Sequence, residues 1–159
     1  MPLPLTITWV VLASGHRCRI LEERRRGAEL RELPVWDCRP SEADERHVQH
    51  QKAVQKQRFG FGQSVVNQED FAKLAERRFL ARYAHDLDLA RTNRRYERLV
   101  LIAPPWPLGV LREELGRATE ASVEASMAAD LVDLTPADLR QQLRGLRMEN
   151  GRGSPELRR

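Results

Sequence analysis

The sequence predicts an α/β fold: a mixed sheet, antiparallel at its start, with helices on its faces. Three stretches carry that reading. Leu5 to Ala13 is rich in β-formers on both alternating faces, with Ile7, Trp9 and Val11 on one and Thr8, Val10 and Leu12 on the other. Leu99 to Ala103 is a continuous apolar run containing β-branched Val100 and Ile102, stopped by Pro104 and Pro105. A strand with one wet face alternates, so an uninterrupted apolar strand is covered on both faces. Between the two, Glu69 to Ala90 places Ala72, Ala75, Phe79, Leu80, Tyr83, Ala84 and Leu87 at helical spacing. That is the stripe of an amphipathic helix.

The remaining elements come in chain order. Ser14-Gly15-His16 makes a short turn in which Gly15 is free to take positive φ, and Arg17 to Glu22 reads as the hairpin partner of the first strand. Glu23 to Gly27 is a charged turn, and Ala28 to Trp36 is read as a third strand. Residues 37–68 hold many charges and only scattered apolar residues, and read as a long flexible loop. Inside it lies Arg58-Phe-Gly-Phe-Gly-Gln-Ser64, an aromatic patch interrupted by glycine. In the helix after the loop, Lys73, Arg77, Arg78, Arg82 and His85 fall mostly off the apolar stripe. Glu69 and Asp70 stand in its first turn, where the helix dipole favours acids.

Pro104 and Pro105 end the core strand, and a short helix with Leu108, Leu111 and Leu115 inward runs from near Pro107 to Gly116. Val123 to Leu131 alternates like a strand but has the alanine content of a helix, and its residues leave the choice open. A helix start comes next: Thr135 is the N-cap, Pro136 the first helical position, and Asp138 stands in for the Glu of a capping box. Leu134 and Leu139 close its hydrophobic staple, and Leu139, Leu143 and Leu146 pack inward. The chain therefore divides into a single domain over residues 1–144 and a basic tail, expected to be disordered, over residues 145–159. The order of three strands, loop, helix, strand, helix, the undecided segment and helix matches a ribonuclease-H-like arrangement.

Composition narrows the function classes. The 159 residues are 41% hydrophobic and 31% charged, with a net charge of +4. Arginine outnumbers lysine 24 to 3, which reads as a coding bias. From Arg140 onward there are six Arg and two Glu, so the other 139 residues, with 21 bases and 21 acids, are neutral. The basic balance is then weak ground for a nucleic-acid face. Cys18 and Cys38 form no CxxC and read as two reduced thiols in a cytosolic protein. The N-terminus lacks a basic n-region and no apolar run approaches a membrane span, so the protein is expected in the cytoplasm without membrane insertion.

Chemistry is hard to place. A ribonuclease of this architecture needs clustered carboxylates for metal ions, but the first strand ends Ala13-Ser14-Gly15 and the core strand Ala103-Pro104-Pro105. Asp130 and Asp133 read as strand-end and turn residues. His47 and His50 lack ligand spacing, and His16 and His85 stand alone, so no metal site and no cofactor is expected. Trp106 is read as a cap on the core.

Four stretches in the right order resemble a known family: Thr8-Trp-Val-Val-Leu-Ala-Ser-Gly-His-Arg-Cys-Arg-Ile-Leu21, Tyr96-Glu-Arg-Leu-Val-Leu-Ile-Ala-Pro-Pro105, Leu108-Gly-Val-Leu-Arg112 and Asp130-Leu-Val-Asp-Leu-Thr-Pro-Ala-Asp-Leu-Arg140. They look like the bacterial host attachment protein family, described as required for attachment to host cells. That family is grouped with bacterial relatives of the middle domain of archaeal and eukaryotic peptide-chain release factors. The resemblance covers the chain to about Leu143 and implies that Val123–Leu131 is a strand, completing a mixed five-stranded sheet. It implies a non-catalytic binding or adaptor protein, acting on an unknown protein partner and only indirectly in attachment.

The release-factor relationship implies an alternative, a translation-associated factor touching tRNA or the ribosome. In release factors a Gly-Gly-Gln loop ahead of the long helix positions water for hydrolysis of the peptidyl-tRNA ester. Here Gly62-Gln63 matches its last two residues and Phe61 replaces the first glycine, where a Cβ restricts the backbone. The candidate functional loop is then Arg58, Gly60, Gly62, Gln63 and Ser64, with Arg77, Arg78 and Arg82 of the helix as candidate basic contacts.

Overall fold

A computed structural model describes residues 5–41 and 68–152. Its elements are β1 (Thr8–Ala13), β2 (Cys18–Glu23), β3 (Arg31–Glu32), a 3-10 turn (Pro34–Trp36), α1 (Gln68–Thr92), β4 (Arg98–Ala103), α2 (Pro105–Glu114), α3 (Arg117–Ala121), β5 (Val123–Ala128) and α4 (Pro136–Arg152). The sheet is mixed and five-stranded, in the order β3-β2-β1-β4-β5. β1 pairs antiparallel with β2 and parallel with β4; β3 is antiparallel to β2 and β5 parallel to β4. The α/β class, the antiparallel opening and the fifth strand all stand.

The unbroken apolar patterns have the expected cause. Every residue of β1 and β2 is buried, and in β4 only Arg98 is exposed. Because side chains alternate, the sheet divides the core into two layers. Trp9, Val11, Ile20, Leu99 and Leu101 face α1 and α2, meeting Phe79, Leu80, Tyr83, Leu87, Val110 and Leu111. Val10, Leu12, Leu21, Val100 and Ile102 face α4, meeting Leu139, Leu143 and Leu146. The Thr135 cap is made as expected, its Oγ1 accepting the Asp138 N–H at 3.2 Å.

Several boundaries differ, each for a local reason. The third strand shrinks to Arg31–Glu32, because Pro34 opens a 3-10 turn that carries Val35 into solvent at 86% exposure. The short helix after β4 starts at Pro105, and a separate turn of helix, α3, precedes β5. In the first turns of α1 the stripe is displaced: Phe71 is buried and Ala72 exposed. Residues 37–41 belong to the described fold, Gln68 opens α1, and residues 42–67 of the expected loop lie outside the described residues. The expected disorder from residue 145 is wrong up to Arg152, since α4 runs through Gly145 and buries Leu146. Four of the six arginines from Arg140 onward, at 140, 144, 147 and 152, therefore stand on a helix.

Buried arginines fasten α4 and its approach to the sheet. Glu23 and Arg19 lie on the α4 side of β2. Arg147 donates to Glu23 at 2.7 and 2.9 Å and to Glu124 of β5 at 2.8 and 3.0 Å, with the Glu23 side chain only 2% exposed. Arg19 donates to both oxygens of Glu32 and to the carbonyls of Val132 and Leu134. Arg17 makes a paired bond to Asp37 at 2.9 and 3.0 Å and reaches Asp133 at 2.9 Å, clamping the chain after the 3-10 turn. The hydrogen bonds from Arg17 hold the Asp37 carboxyl below its ordinary range, outweighing the opposing effect of burial.

Two outcomes are expected. Removing one partner of a buried ion pair strands the others, so Arg147→Ala lowers the unfolding free energy by about 3 kcal/mol, read from urea denaturation. Asp37 has a folded pKa below its unfolded value, so its contribution is present above about pH 4 and lost as pH falls through the lower folded value. Asp37→Asn is accordingly less stable than the parent at pH 7, by about 1 kcal/mol, and the difference closes as urea titrations are carried to progressively more acid pH.

Candidate functional site

The edge of the sheet at the carboxyl ends of β1, β4 and β5 is where the chain leaves at Ser41 and returns at Gln68. The β1–β2 turn forms its centre. Ser14 Oγ accepts the backbone N–H groups of His16 and Arg17 at 3.2 and 3.0 Å and donates to the Arg17 carbonyl. The hydroxyl is consumed by the turn and is not aimed at the His16 ring. His16 Nε2 instead lies 3.1 Å from Glu76 of α1, on a side chain 79% exposed. A serine, a histidine and a glutamate are thus neighbours without the relay a nucleophilic serine needs. Gly15 does not take positive φ as expected; an added Cβ would fall 2.5 Å from the Glu76 carboxyl, so its smallness leaves room for that side chain where it stands.

Next to this turn, Cys18 and Cys38 face each other as an isolated antiparallel bridge, exchanging backbone N–H bonds at 2.9 Å. Both thiols are free, and burial pushes both upward in pKa, with Cys18 fully enclosed. They lie beside Trp36, whose carbonyl accepts the Tyr83 hydroxyl at 2.7 Å, and whose ring meets Trp9 edge-on at 5.1 Å. The result is a rigid abutment for the chain leaving at Ser41. Trp106 is not a buried cap: it is 36% exposed, with Lys73 over its ring at 5.8 Å.

Of the candidate residues, Arg58, Gly60, Gly62, Gln63 and Ser64 lie outside the described residues. The three helix arginines do not act as one face. Arg77 is tied to Glu113 and Glu114 of α2 at 2.9 and 3.2 Å, which pins α1 to α2. Arg82 donates to the Ser41 hydroxyl at 3.2 Å and lies over the Phe79 ring, so it holds the start of the segment. Arg78 is exposed. Among the described residues no group of three or more His, Cys, Asp or Glu is placed to hold a metal ion, and no helix is long and apolar enough to cross a membrane.

Two open cavities among the described residues lie away from this edge. One, of about 430 Å³, is bounded by Glu29, Leu30, Pro136, Arg140 and Arg144. The other, of about 420 Å³, is walled by Asp88, Arg91, Thr92, Arg94, Arg117 and Thr119, where the end of α1 meets the start of α3. Sequence reading missed this cavity because its two halves are separated in the chain. The available signal was Arg91, Arg94 and Arg95 crowded at a helix end that offers no glycine.

Solved structures similar to this chain include an archaeal translation termination factor, at 9% identity and a TM-score of 0.49, covering 94% of this chain and 42% of that one. Another is described only as an archaeal protein, at 9% identity and a TM-score of 0.43, covering 94% of this chain and 41% of that one. This chain thus spans about two fifths of the length of those structures. No curated protein matches it. Residues 7–143, from the approach to β1 into α4, match the family described as bacterial archaeo-eukaryotic release factor family 12, and the chain belongs to that family.

Proposed function

We propose that this protein is a translation-associated factor of the cytoplasm that contacts tRNA or the ribosome through the segment around residues 58–64. The observation that carries the reading is the family match over residues 7–143, which takes in this segment and α1 after it. The described structure supports it with a rigid mount. The segment leaves beside the Arg17–Asp37 clamp and the Arg82–Ser41 contact, and it returns directly into a helix packed along the sheet. A segment anchored at both ends on packed elements is the usual place for a contact or a reaction. The attachment reading has only the resemblance behind it and no support from the family match or the similar structures.

The chemistry proposed for the segment is hydrolysis of the peptidyl-tRNA ester, with Gln63 positioning water. The water oxygen attacks the ester carbonyl carbon, the bond to the tRNA 3′ oxygen breaks, and the water proton ends on that oxygen. Phe61 in place of a glycine narrows the backbone's range just before Gly62-Gln63. Binding is therefore the primary claim and hydrolysis the second.

The test is co-sedimentation of the full chain with ribosomes at low and high salt, together with a peptidyl-tRNA hydrolysis assay. Salt-sensitive ribosome binding is expected, since contacts to RNA phosphates release counterions. Gln63→Ala should still bind and should hydrolyse about 10²-fold more slowly, the scale of loss for a misplaced reactant. Protein that stays unbound at both salt concentrations would sink the proposal.

A further inference from the structure

The cavity at the far end of α1 gathers arginines that differ from those tying the fold together. Arg17, Arg19, Arg77, Arg112 and Arg147 each grip a carboxylate. In the cavity wall, Arg91 donates through Nε to the Ser122 hydroxyl at 2.8 Å, and no carboxylate lies in ion-pair contact with it among the described residues. Arg94 and Arg117 are exposed and have no ion pair or hydrogen bond from their side chains among the described residues. The one carboxylate present, Asp88, has both oxygens on the Gly116 backbone N–H at 3.0 and 3.2 Å. Three guanidinium groups against one committed carboxylate leave the cavity cationic.

The backbone of Arg94 adds a second, independent observation. The Arg95 N–H bonds the Ala90 carbonyl at 2.9 Å and the Arg94 N–H bonds the Arg91 carbonyl at 3.0 Å. This pair of bonds is a Schellman ending, with Arg94 at the left-handed position and φ at 56°. Glycine is the favoured residue there, because a side chain in that conformation costs roughly 1–2 kcal/mol. Helix capping alone therefore explains Arg91, whose charge suits a helix C-terminus, and does not explain an arginine at 94.

We propose that this cavity seats phosphate groups of an RNA backbone, held by Arg91, Arg94 and Arg117. The inference rests on the translation-associated reading for its choice of RNA. The guanidinium fork matches phosphate oxygens in pairs. The wall carries no aromatic ring on which a base could stack, which favours sequence-independent backbone contact over recognition of a nucleotide.

The experiment is fluorescence anisotropy of the full chain with a labelled, unstructured 15-nucleotide RNA at 50 and 200 mM salt. The variants are Arg94→Gly with Arg117→Gln, Arg94→Gly alone, and Arg31→Gln with Arg144→Gln as a matched loss of two exposed charges elsewhere. The cavity variant should bind about tenfold more weakly at 50 mM salt, with a salt slope shallower by about 1.4 for two lost phosphate contacts. The matched variant should stay within twofold of the parent, and Arg94→Gly alone should melt at or above the parent while binding more weakly. Equal loss in both double variants, no loss in the cavity variant, or no RNA binding by the parent each overturns the inference. Inorganic tripolyphosphate competing as well as RNA would mark a small-anion site and overturn the RNA assignment. A parent that co-sediments with ribosomes yet ignores free RNA overturns this inference alone and leaves the proposed function standing.

Discussion

Strand β1 has neither a free edge nor a wet face. β2 and β4 occupy its two edges, α1 covers one face and α4 the other, and all six residues are buried. A strand in that position must hold one register, since a slip of one residue exchanges the two faces. Trp9 enforces it. Its ring packs among Tyr96, Trp36 and the Arg95 guanidinium, and its Nε1–H donates to Glu22, directly opposite on β2, at 3.0 Å. A slip would bury the indole N–H without its partner, at a cost of about 1–3 kcal/mol. The positions of α1, and so of both ends of the segment before it, depend on that register.

With β1 in place, arginine does much of the remaining assembly. Arg19 and Arg147 reach from opposite sides of the α4 layer to tie β2 to the part of the chain beyond β4, and Arg77 ties α1 to α2. The planar fork lets one side chain bind two partners at once, as Arg147 does with Glu23 and Glu124, where an ammonium would act as a point charge. This use of the residue is invisible to a charge count. The last 20 residues, summed to +4, look like a solvated basic arm, yet the Arg147 side chain is only 12% exposed and Arg140 bonds the Gly27 carbonyl at 2.7 Å.

How much the sequence disclosed depends on the range of each interaction. Leu99–Ala103 announced a doubly covered strand, and Thr135-Pro136 announced a helix start, because each pattern is complete within a few residues. The 3-10 turn at Pro34 and the early start of α2 at Pro105 were misjudged by a few residues, where proline chemistry permits more than one outcome. The continuation of α4 past Gly145 was missed because a glycine reads locally as a helix end, even though Leu146 just beyond it was expected inward and is buried there. Gly15 was explained by φ when the cause is Glu76 on another element. For the site, the loop candidates could be named from residues 58–64, but the division of labour among Arg77, Arg78 and Arg82 depends on α2 and Ser41. No local reading supplies those partners.

Helix α1 joins the two regions proposed to contact RNA. From Gln68 to Arg91 its rise is about 35 Å, and it packs against the sheet along its buried stripe. One end receives the segment that carries Gln63; the other ends at Arg94 and the cationic cavity. A flexible tether between two contacts would lower the effective concentration of the second once the first is made. A helix fixed to a sheet on a single-register strand loses no such freedom on binding, so on the proposed reading a contact at one end of α1 adds to a contact at the other without a further ordering cost in the helix. On the proposed reading the strained arginine at 94 has a physical role: stability given up at the helix end places a guanidinium at the cavity, at the opposite end of α1 from Gln68, where glycine would cap the helix and grip nothing.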